Sequence, residues 1–579
     1  MRSPAIVMES PRAQRSGMSA YSINRVVPYL VVALSLLYFA IMAGRQIAIP
    51  GLYYDEVLFV NAATGGVSDS FIAKRIGGVP VMLMPYIGAL KAYLYFPIFK
   101  IFGVSPASIR FPVICISLVS LMIAYLISRL TFNKFASAML VLIMAVDPVF
   151  ISMTKLDYGP IVLMIAFKLL ALLFFFKLVT TLSIRYLFLL VVTCVFGLYD
   201  KLNFIWFVMA LGFASIVLFG GETKRLYKKY RFWFSLITLS FLALVFWVSA
   251  VMILPQLVRT QQSDFSVLER LAYISSLYVR TMNGMEFYSW VTDFQLTFGT
   301  VTNYVTIISL FIITIAGFLM FCRKTYPGKI NFVDRVVGCY VTLFVLIFVQ
   351  IVLTRKAGGP HHIMMLYPFH HFLAIAAAVS LSRLMNGDSQ DNQSAIISSM
   401  CQFVGQPGRQ WWTPHGRKLG FGAVVVILGL LVGSEIRVGM SYAEAFSKQT
   451  LNPRWSPVIY ELADYVNRRE VDAIVFVDWG IHNQVFALSG AKTRMKCFDL
   501  WPNFKGLDDP SFGTAIYDRF FSGKRVLALL HDPETEVMPH SRQHFLAFAE
   551  YFFRGSKLER VFSSVQGRPI FEAYYLDGR

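Results

Sequence analysis

The sequence predicts a polytopic α-helical membrane protein of about eleven transmembrane helices, followed by a small extracytoplasmic α/β domain. Three observations carry this. The 579-residue chain is 56% hydrophobic and 15% charged, with a mean hydropathy of +0.59. Apolar runs of about 20 residues, each enough to cross the hydrocarbon of a bilayer, recur from residue 27 to residue 438. After about residue 440 the pattern changes to short strand-like runs and amphipathic helices.

Taken in order, the polar stretch MRSPAIVMESPRAQRSGMSAYSINR precedes an apolar run without a small-residue cleavage pattern, which reads as a retained first helix. Candidate spans then fall at 27–46, 108–130, 135–152, 159–178, 185–199, 202–219, 232–254, 299–321, 333–353, 362–382 and 419–438. Lys and Arg concentrate in the N-terminal tail, in GGETKRLYKKYR (220–231), in CRKTYPGK (322–329) and in the polar insert 383–418. With an inside N-terminus all of these basic segments fall on the cytoplasmic side, as membrane topology favours. The first loop (47–107), the turns at 157 and 200, the loop 255–298, the segment 354–361 and everything after about 440 then face outward. This divides the chain into a transmembrane part, 1–440, and an outer domain, 441–579. In the outer domain VDAIVFVDWG and KRVLALLHD read as buried strands, and SPVIYELADYVNRR and SRQHFLAFAEYFFR as amphipathic helices.

The net charge of +20 would point to nucleic acid in a soluble chain, but here the basic cytoplasmic loops account for it and no nucleic-acid partner is expected. The six cysteines are scattered, with neither a CxxC pair nor metal-ligand spacing. No Walker A pattern, GxGxxG or HExxH is present, so nothing in the sequence provides for a nucleotide-linked substrate.

The residues with chemical promise collect in the outward segments. Asp55 and Glu56 stand side by side in GLYYDEVLFVNAATGG, where they would complement the dipole of a following helix or form part of a site. Asp157 in MTKLDYGP has the same two readings, as a helix cap or a site carboxylate. Carboxylates held at one membrane surface can share a site, one accepting a proton and another orienting substrate or metal. Lys155, Lys201 in LYDKLNF, and Arg355, Lys356, His361 and His362 in LTRKAGGPHHIMMLYPFHH share that face. They suit a phosphate or pyrophosphate, or else anchor span ends at the lipid headgroups. The spans are nearly free of internal charge, Lys168 being an exception, and show no inverted repeat. Both features weigh against a transporter.

The first span, the YYDE that follows it and the segment GGVPVMLMPYIGALKAYLYFPIFKIFGVSPASIRFPVICISLVSLMIAYLISRL resemble the GT-C membrane glycosyltransferases. These enzymes use polyprenyl-phosphate sugars and include protein O-mannosyltransferases and lipid A aminoarabinose transferases. Asp55 and Glu56 match the family's acidic pair in the first outer loop. VPVMLMP, IFG and Arg110 in SIRFP fill the places of its Pro-containing segment, LFG-like turn and span-opening Arg. Asp157 and YDKLNF match later and shorter elements. The resemblance covers about residues 27–220, extends more loosely to about 382, and fades over 440–579. A His-Pro-Pro element that often precedes the LFG turn is only GGVPVMLMP here, which bears on acceptor recognition.

What the resemblance implies is specific. Asp55, with Glu56 and Asp157 beside it, would be catalytic, Asp55 as the general base. The acceptor would attack the anomeric carbon with inversion and expel polyprenyl phosphate. Lys201, Arg355 and Lys356, with His361, His362 and Arg110, would hold the donor phosphate. Asp55, Glu56 and Asp157 offer hard oxygen ligands suited to Mg or Mn, and metal use varies across the superfamily. The partners implied are a polyprenyl-phosphate-linked sugar donor, an extracytoplasmic acceptor (glycolipid, polysaccharide or protein) and membrane lipids, at a bacterial inner membrane. The alternatives are a transporter or flippase of lipid-linked sugars and an inactive scaffold of the same fold.

Overall fold

In hydrocarbon every backbone N–H and C=O must be satisfied within its own segment, so apolar runs become helices. The computed structural model describes residues 15–64, 72–156, 158–250, 266–322, 332–354, 357–386, 414–489, 496–553 and 557–579. Its helices begin with α1 (Arg15–Gly44), α2 (Leu58–Ala63), α3 (Leu90–Phe102) and α4 (Pro106–Ser128). They continue with α5 (Lys134–Val146), α6 (Pro148–Leu156), α7 (Ile161–Thr181), α8 (Ile184–Asp200), α9 (Ile205–Lys229) and α10 (Arg231–Val248). The remainder of the bundle is α11 (Val267–Met282), α12 (Met285–Val291), α13 (Thr302–Cys322), α14 (Phe332–Leu353), α15 (Pro360–Ile363), α16 (Phe369–Asn386) and α17 (Pro414–Lys448).

Among the described residues eight helices are long and apolar enough to cross a membrane, nine if α5 and α6, bent by 56°, form one span. Each of the eleven predicted segments contains a helix, and these eight or nine meet the length and hydropathy expected of a span among the described residues. α8 has 17 residues, which at 1.5 Å per residue is roughly 26 Å against about 30 Å of hydrocarbon. α13 runs 21 residues, Thr302–Cys322, and is apolar along most of its sequence. α7 and the segment Pro360–Ser380 are the most enclosed, with 72% and 78% of their apolar windows buried, while α10 has 0% and lies at the rim.

One expectation about the spans is corrected. Asp147 at the α5–α6 bend and Glu435 in α17 are buried inside the bundle, along with Lys168 in α7 and His370 and His371 in α16. A single charge in a long apolar run barely lowers its hydropathy, and the bend at Asp147 reads as continuous in sequence.

Between α2 and α3 lies a small antiparallel sheet, β1 (Lys74–Ile76), β2 (Val79–Met84) and β3 (Ile87–Gly88). Its last strand docks on the end of α8. A Cβ on Gly88 would lie 2.0 Å from the Tyr199 carbonyl oxygen, and the Leu202 N–H donates to the Tyr86 carbonyl at 3.0 Å.

α17 continues to Lys448, and the α/β domain follows it. Its elements are α18 (Val458–Asn467), β4 (Ala473–Phe476), α19 (His482–Leu488), β5 (Cys497–Asp499), α20 (Trp501–Lys505) and α21 (Thr514–Phe520), then β6 (Arg525–His531), α22 (Ser541–Phe552), β7 (Lys557–Ser563) and β8 (Pro569–Asp577). The sheet order is β5-β4-β6-β8-β7, with β4 parallel to β5 and β6 and the rest antiparallel. Successive residues of a strand face opposite sides. Ala473 and Val475 accordingly pack with Phe504, Phe545 and Phe548, while Ile474 and Phe476 pack with Leu462, Val485 and, beyond them, Leu58, Phe59 and Val60 of α2.

The outer domain thus shares one core with the loop that carries the acidic pair. Their seam is close: the Gly51 N–H donates to the Trp455 carbonyl at 2.7 Å, and a Cβ on Gly51 would meet the Ser456 carbonyl oxygen at 2.2 Å. Gly51→Ala should cost about 1–3 kcal/mol through overpacking, read as a lower Tm of the purified protein. An unchanged Tm would overturn this account of the seam.

Candidate active site

The acidic pair forms a single turn, Tyr54–Glu56, but its two carboxylates have separate fates. Glu56 is fully buried and receives the Arg110 Nε at 2.5 Å on Oε1, and the Arg110 Nη2 at 2.9 Å and the Tyr53 N–H at 3.2 Å on Oε2. The remaining Arg110 donors go to the carbonyls of Ile47 (2.7 Å), Pro50 (2.8 Å) and Gly51 (3.4 Å). All five N–H groups of this buried guanidinium are therefore used within the loop. Arg110 is a structural tie from α4 to the turn and not the donor-phosphate ligand that the sequence predicted.

Asp55 keeps partial access to solvent. Tyr158 hydrogen-bonds its carboxylate and Lys201 lies beside it. Burial is the largest influence and raises the Asp55 pKa above the ordinary carboxylate range, while Tyr158 and Lys201 act in the opposite direction. Burial, reinforced by Asp55, pushes the Tyr158 phenol far up. Lys201 is pulled down to about 8, chiefly by burial, with Asp200 and Asp55 opposing.

Lys201 is placed by its backbone. At the end of α8 the chain turns extended, and Lys201 bridges to Ile87 of β3. The close approach at Gly88 is what permits this contact.

Near Lys201 stand His361 and His362, ring centroids 4.0 Å apart, at the start of α15. Lys201 is near enough to act electrostatically on both. The His361 ring lies 5.6 Å from the Tyr158 ring, and His362 lies 6.1 Å from Trp206. Asp55, Lys201 and the histidine pair, predicted from three distant segments, are thus brought together. Asp157, Arg355 and Lys356 lie outside the described residues.

Lys155 goes elsewhere: its ammonium caps the carbonyls of Arg45 and Gln46 (3.2 Å to the latter) at the end of α1, where the helix dipole favours a cation. Nor does the proposed Mg or Mn set at Asp55, Glu56 and Asp157 fit well. Glu56 is committed to Arg110, leaving Asp55 as the one carboxylate of that set at the site among the described residues.

Several site residues were not predicted. Tyr53, Tyr158, Trp290 and Trp455 form an aromatic wall beside Asp55, with Tyr53 stacked on Trp455 at 4.2 Å and Trp290 edge-on to Tyr158 at 4.8 Å. On the other flank Tyr54 stacks on Trp479 of the outer domain at 4.5 Å. Arg270 of α11 donates to the carbonyls of Thr354 (2.9 Å) and Ala357 (2.5 Å), and so ties down the chain that leads into α15. The signal for Arg270 was present in VLERLAYISSLYVR, whose apolar residues recur at helical spacing within the loop 255–298.

Comparison with known proteins agrees with this architecture. The family model described as dolichyl-phosphate-mannose-protein mannosyltransferase matches residues 89–249, which include Arg110 and Lys201 but not Asp55. No curated protein matches the chain by sequence. The crystal structure of ArnT from Cupriavidus metallidurans bound to undecaprenyl phosphate superposes with a TM-score of 0.54 at 12% identity, covering 95% of this chain and 98% of that one. Its apo state gives 0.53 at 13% identity, with 96% and 98% covered. The apo oligosaccharyltransferase of Archaeoglobus fulgidus gives 0.50 at 10% identity, with 87% and 70% covered. The fold shared with these proteins is the GT-C fold.

The Arg110–Glu56 pair has a direct test. Arg110→Ala strands a buried carboxylate and should cost about 3–5 kcal/mol, read as a large loss of Tm or of folded yield. Adding Glu56→Gln to that variant should recover part of the loss. No recovery would overturn the assignment of the cost to an unpaired charge.

Proposed function

We propose, on the premise of the GT-C fold, that this chain is an integral membrane glycosyltransferase. It moves a sugar from a polyprenyl-phosphate carrier to an extracytoplasmic glycolipid, polysaccharide or protein, with inversion. The observation that carries the reading is Asp55, a partly accessible carboxylate beside Lys201 and the His361–His362 pair on a fold shared with a protein that binds undecaprenyl phosphate.

The acceptor O–H or N–H gives its proton to an Asp55 oxygen as the heteroatom attacks the anomeric carbon from the face opposite the phosphate. The bond from the anomeric carbon to the phosphate oxygen breaks, and its electron pair leaves with polyprenyl phosphate. The raised pKa of Asp55 makes it a stronger base than an exposed carboxylate. Lys201, with the histidines behind it, offsets the charge gathering on the leaving phosphate, and does so more in the transition state than in the ground state. Arg355 and Lys356 are assigned to the same phosphate on their place in the sequence beside the histidine pair. Tyr158 and Trp290, the half-buried members of the aromatic wall, give the sugar ring an apolar surface to pack on, with Tyr53 and Trp455 buried behind them. No step is assigned to a metal at Asp55. We assign the site to the outer face of a bacterial inner membrane, a reading supported by the basic loops that then fall on the cytoplasmic side.

A transporter of lipid-linked sugars is the second reading, favoured by the buried charges Asp147, Lys168 and Glu435 within the bundle. Transport needs no general base, so one substitution separates the two.

Asp55→Asn should lower transfer of radiolabelled sugar from a polyprenyl-phosphate donor about 10²–10⁴-fold in matched membranes; retained transfer removes Asp55 as the base. Asp55 must be ionised and Lys201 protonated. The kcat/KM of the wild type should therefore fall as pH drops through the raised Asp55 pKa, and fall again as pH rises through about 8. Lys201→Arg should move the alkaline limb upward, and an alkaline limb that does not move excludes Lys201 as its source.

A further inference from the structure

We propose that Asp147, His370 and His371 bind a divalent transition metal of the zinc class inside the helical bundle, with the Glu435 carboxylate nearby. The proposal is independent of the transferase reading and concerns residues that the reaction does not use.

The ligand atoms of Asp147, His370 and His371 all lie within 4.8 Å of one another. Asp147 is 2% exposed, His370 and His371 1%, and Glu435 0%. Neither ring nitrogen of His371 has a hydrogen-bond partner, nor has Glu435 Oε2, while His370 lies against the Leu366 backbone. Buried polar atoms without partners in an apolar bundle are costly, and a metal would take one nitrogen from each imidazole together with an Asp147 oxygen.

The geometry matches a metal better than a hydrogen-bond network. His371 Nε2 lies 3.3 Å from Asp147 Oδ2 without the geometry of a hydrogen bond. Two ligands on a tetrahedral ion at about 2.0–2.1 Å are separated by about 3.4 Å. The outer contacts are those that orient ligands. The Val149 and Phe150 N–H groups hold Asp147 Oδ1 at 2.7 and 3.3 Å, leaving Oδ2 to face His371. The Thr302 hydroxyl holds Glu435 Oε1 at 2.7 Å.

Charge points the same way. Asp147 and Glu435 are close enough to repel. The nearby Lys168 gives its three protons to the carbonyls of Met364 (3.0 Å), Met365 (2.8 Å) and Tyr367 (2.5 Å), and pairs with neither carboxylate. A divalent cation neutralises both carboxylates at once. Two imidazoles in the set favour zinc-class ions over magnesium or calcium. The ion would fasten the α5–α6 bend to the start of α16, and so anchor the strip from His361 to His371 that carries both histidine pairs.

The full chain, purified with a histidine-free tag, should carry about one equivalent of metal by plasma mass spectrometry. His371→Gln and Asp147→Asn should lower this to below about a tenth of an equivalent. His482→Gln, a buried histidine of the outer domain, should not. If the variants fail to fold, the wild type decides: after chelation, zinc chloride should raise its Tm, and zinc X-ray absorption should show two imidazoles with carboxylate oxygens. Metal-free wild type with no Tm response to zinc chloride overturns the proposal, as does metal retained in both folded variants.

Discussion

The bidentate contact between Arg110 and Glu56 sets the conditions for everything around it. A carboxylate and a guanidinium taken out of water are tolerated only when each remaining donor and acceptor is met. Here Arg110 reaches the carbonyls of Ile47, Pro50 and Gly51 as well as Glu56. That cluster ties the end of the first apolar helix, the acidic turn and the fourth helix into one rigid corner. Adjacent residues thus divide the work: the buried carboxylate fixes the turn, and its neighbour is presented to the site.

The position of Asp55 also depends on packing from outside the membrane part. The turn is held on one side by Arg110 and on the other by Trp455, Ser456 and Trp479. Lys201 is placed by a similar logic, through a small sheet that can approach the end of α8 only because residue 88 has no side chain. The chemistry-bearing groups come from segments that end spans, while their supports come from loops that close over those ends.

Much of this was legible before any coordinates. Apolar runs of membrane-spanning length placed the helices, and the charges at their ends named Asp55, Lys201, His361 and His362. Alternating and helical periodicities marked the outer domain. What stayed hidden has a common physical cause. Glu56 and Asp55 are chemically alike and adjacent, so only the partner at residue 110 distinguishes them. Trp290 and Trp455 read as ordinary apolar residues until the fold sets them around Tyr53. Asp147 and Glu435 are isolated in sequence, and only helix packing brings them and His370 and His371 together.

The core shared by the first loop and the last domain has a consequence for biosynthesis. Asn61 donates to the carbonyl of Asn483 across a separation of 422 residues, and the apolar side chains of α2 rest on strands made later still. A growing chain therefore releases the acidic turn early but cannot seal it until the final strands have been translated and folded. Contacts of such long range are slow to form. Until they do, α2 has its partners on α3, such as Tyr95 against Phe59, but not those of the outer domain, and the corner is complete only once synthesis has reached the sheet.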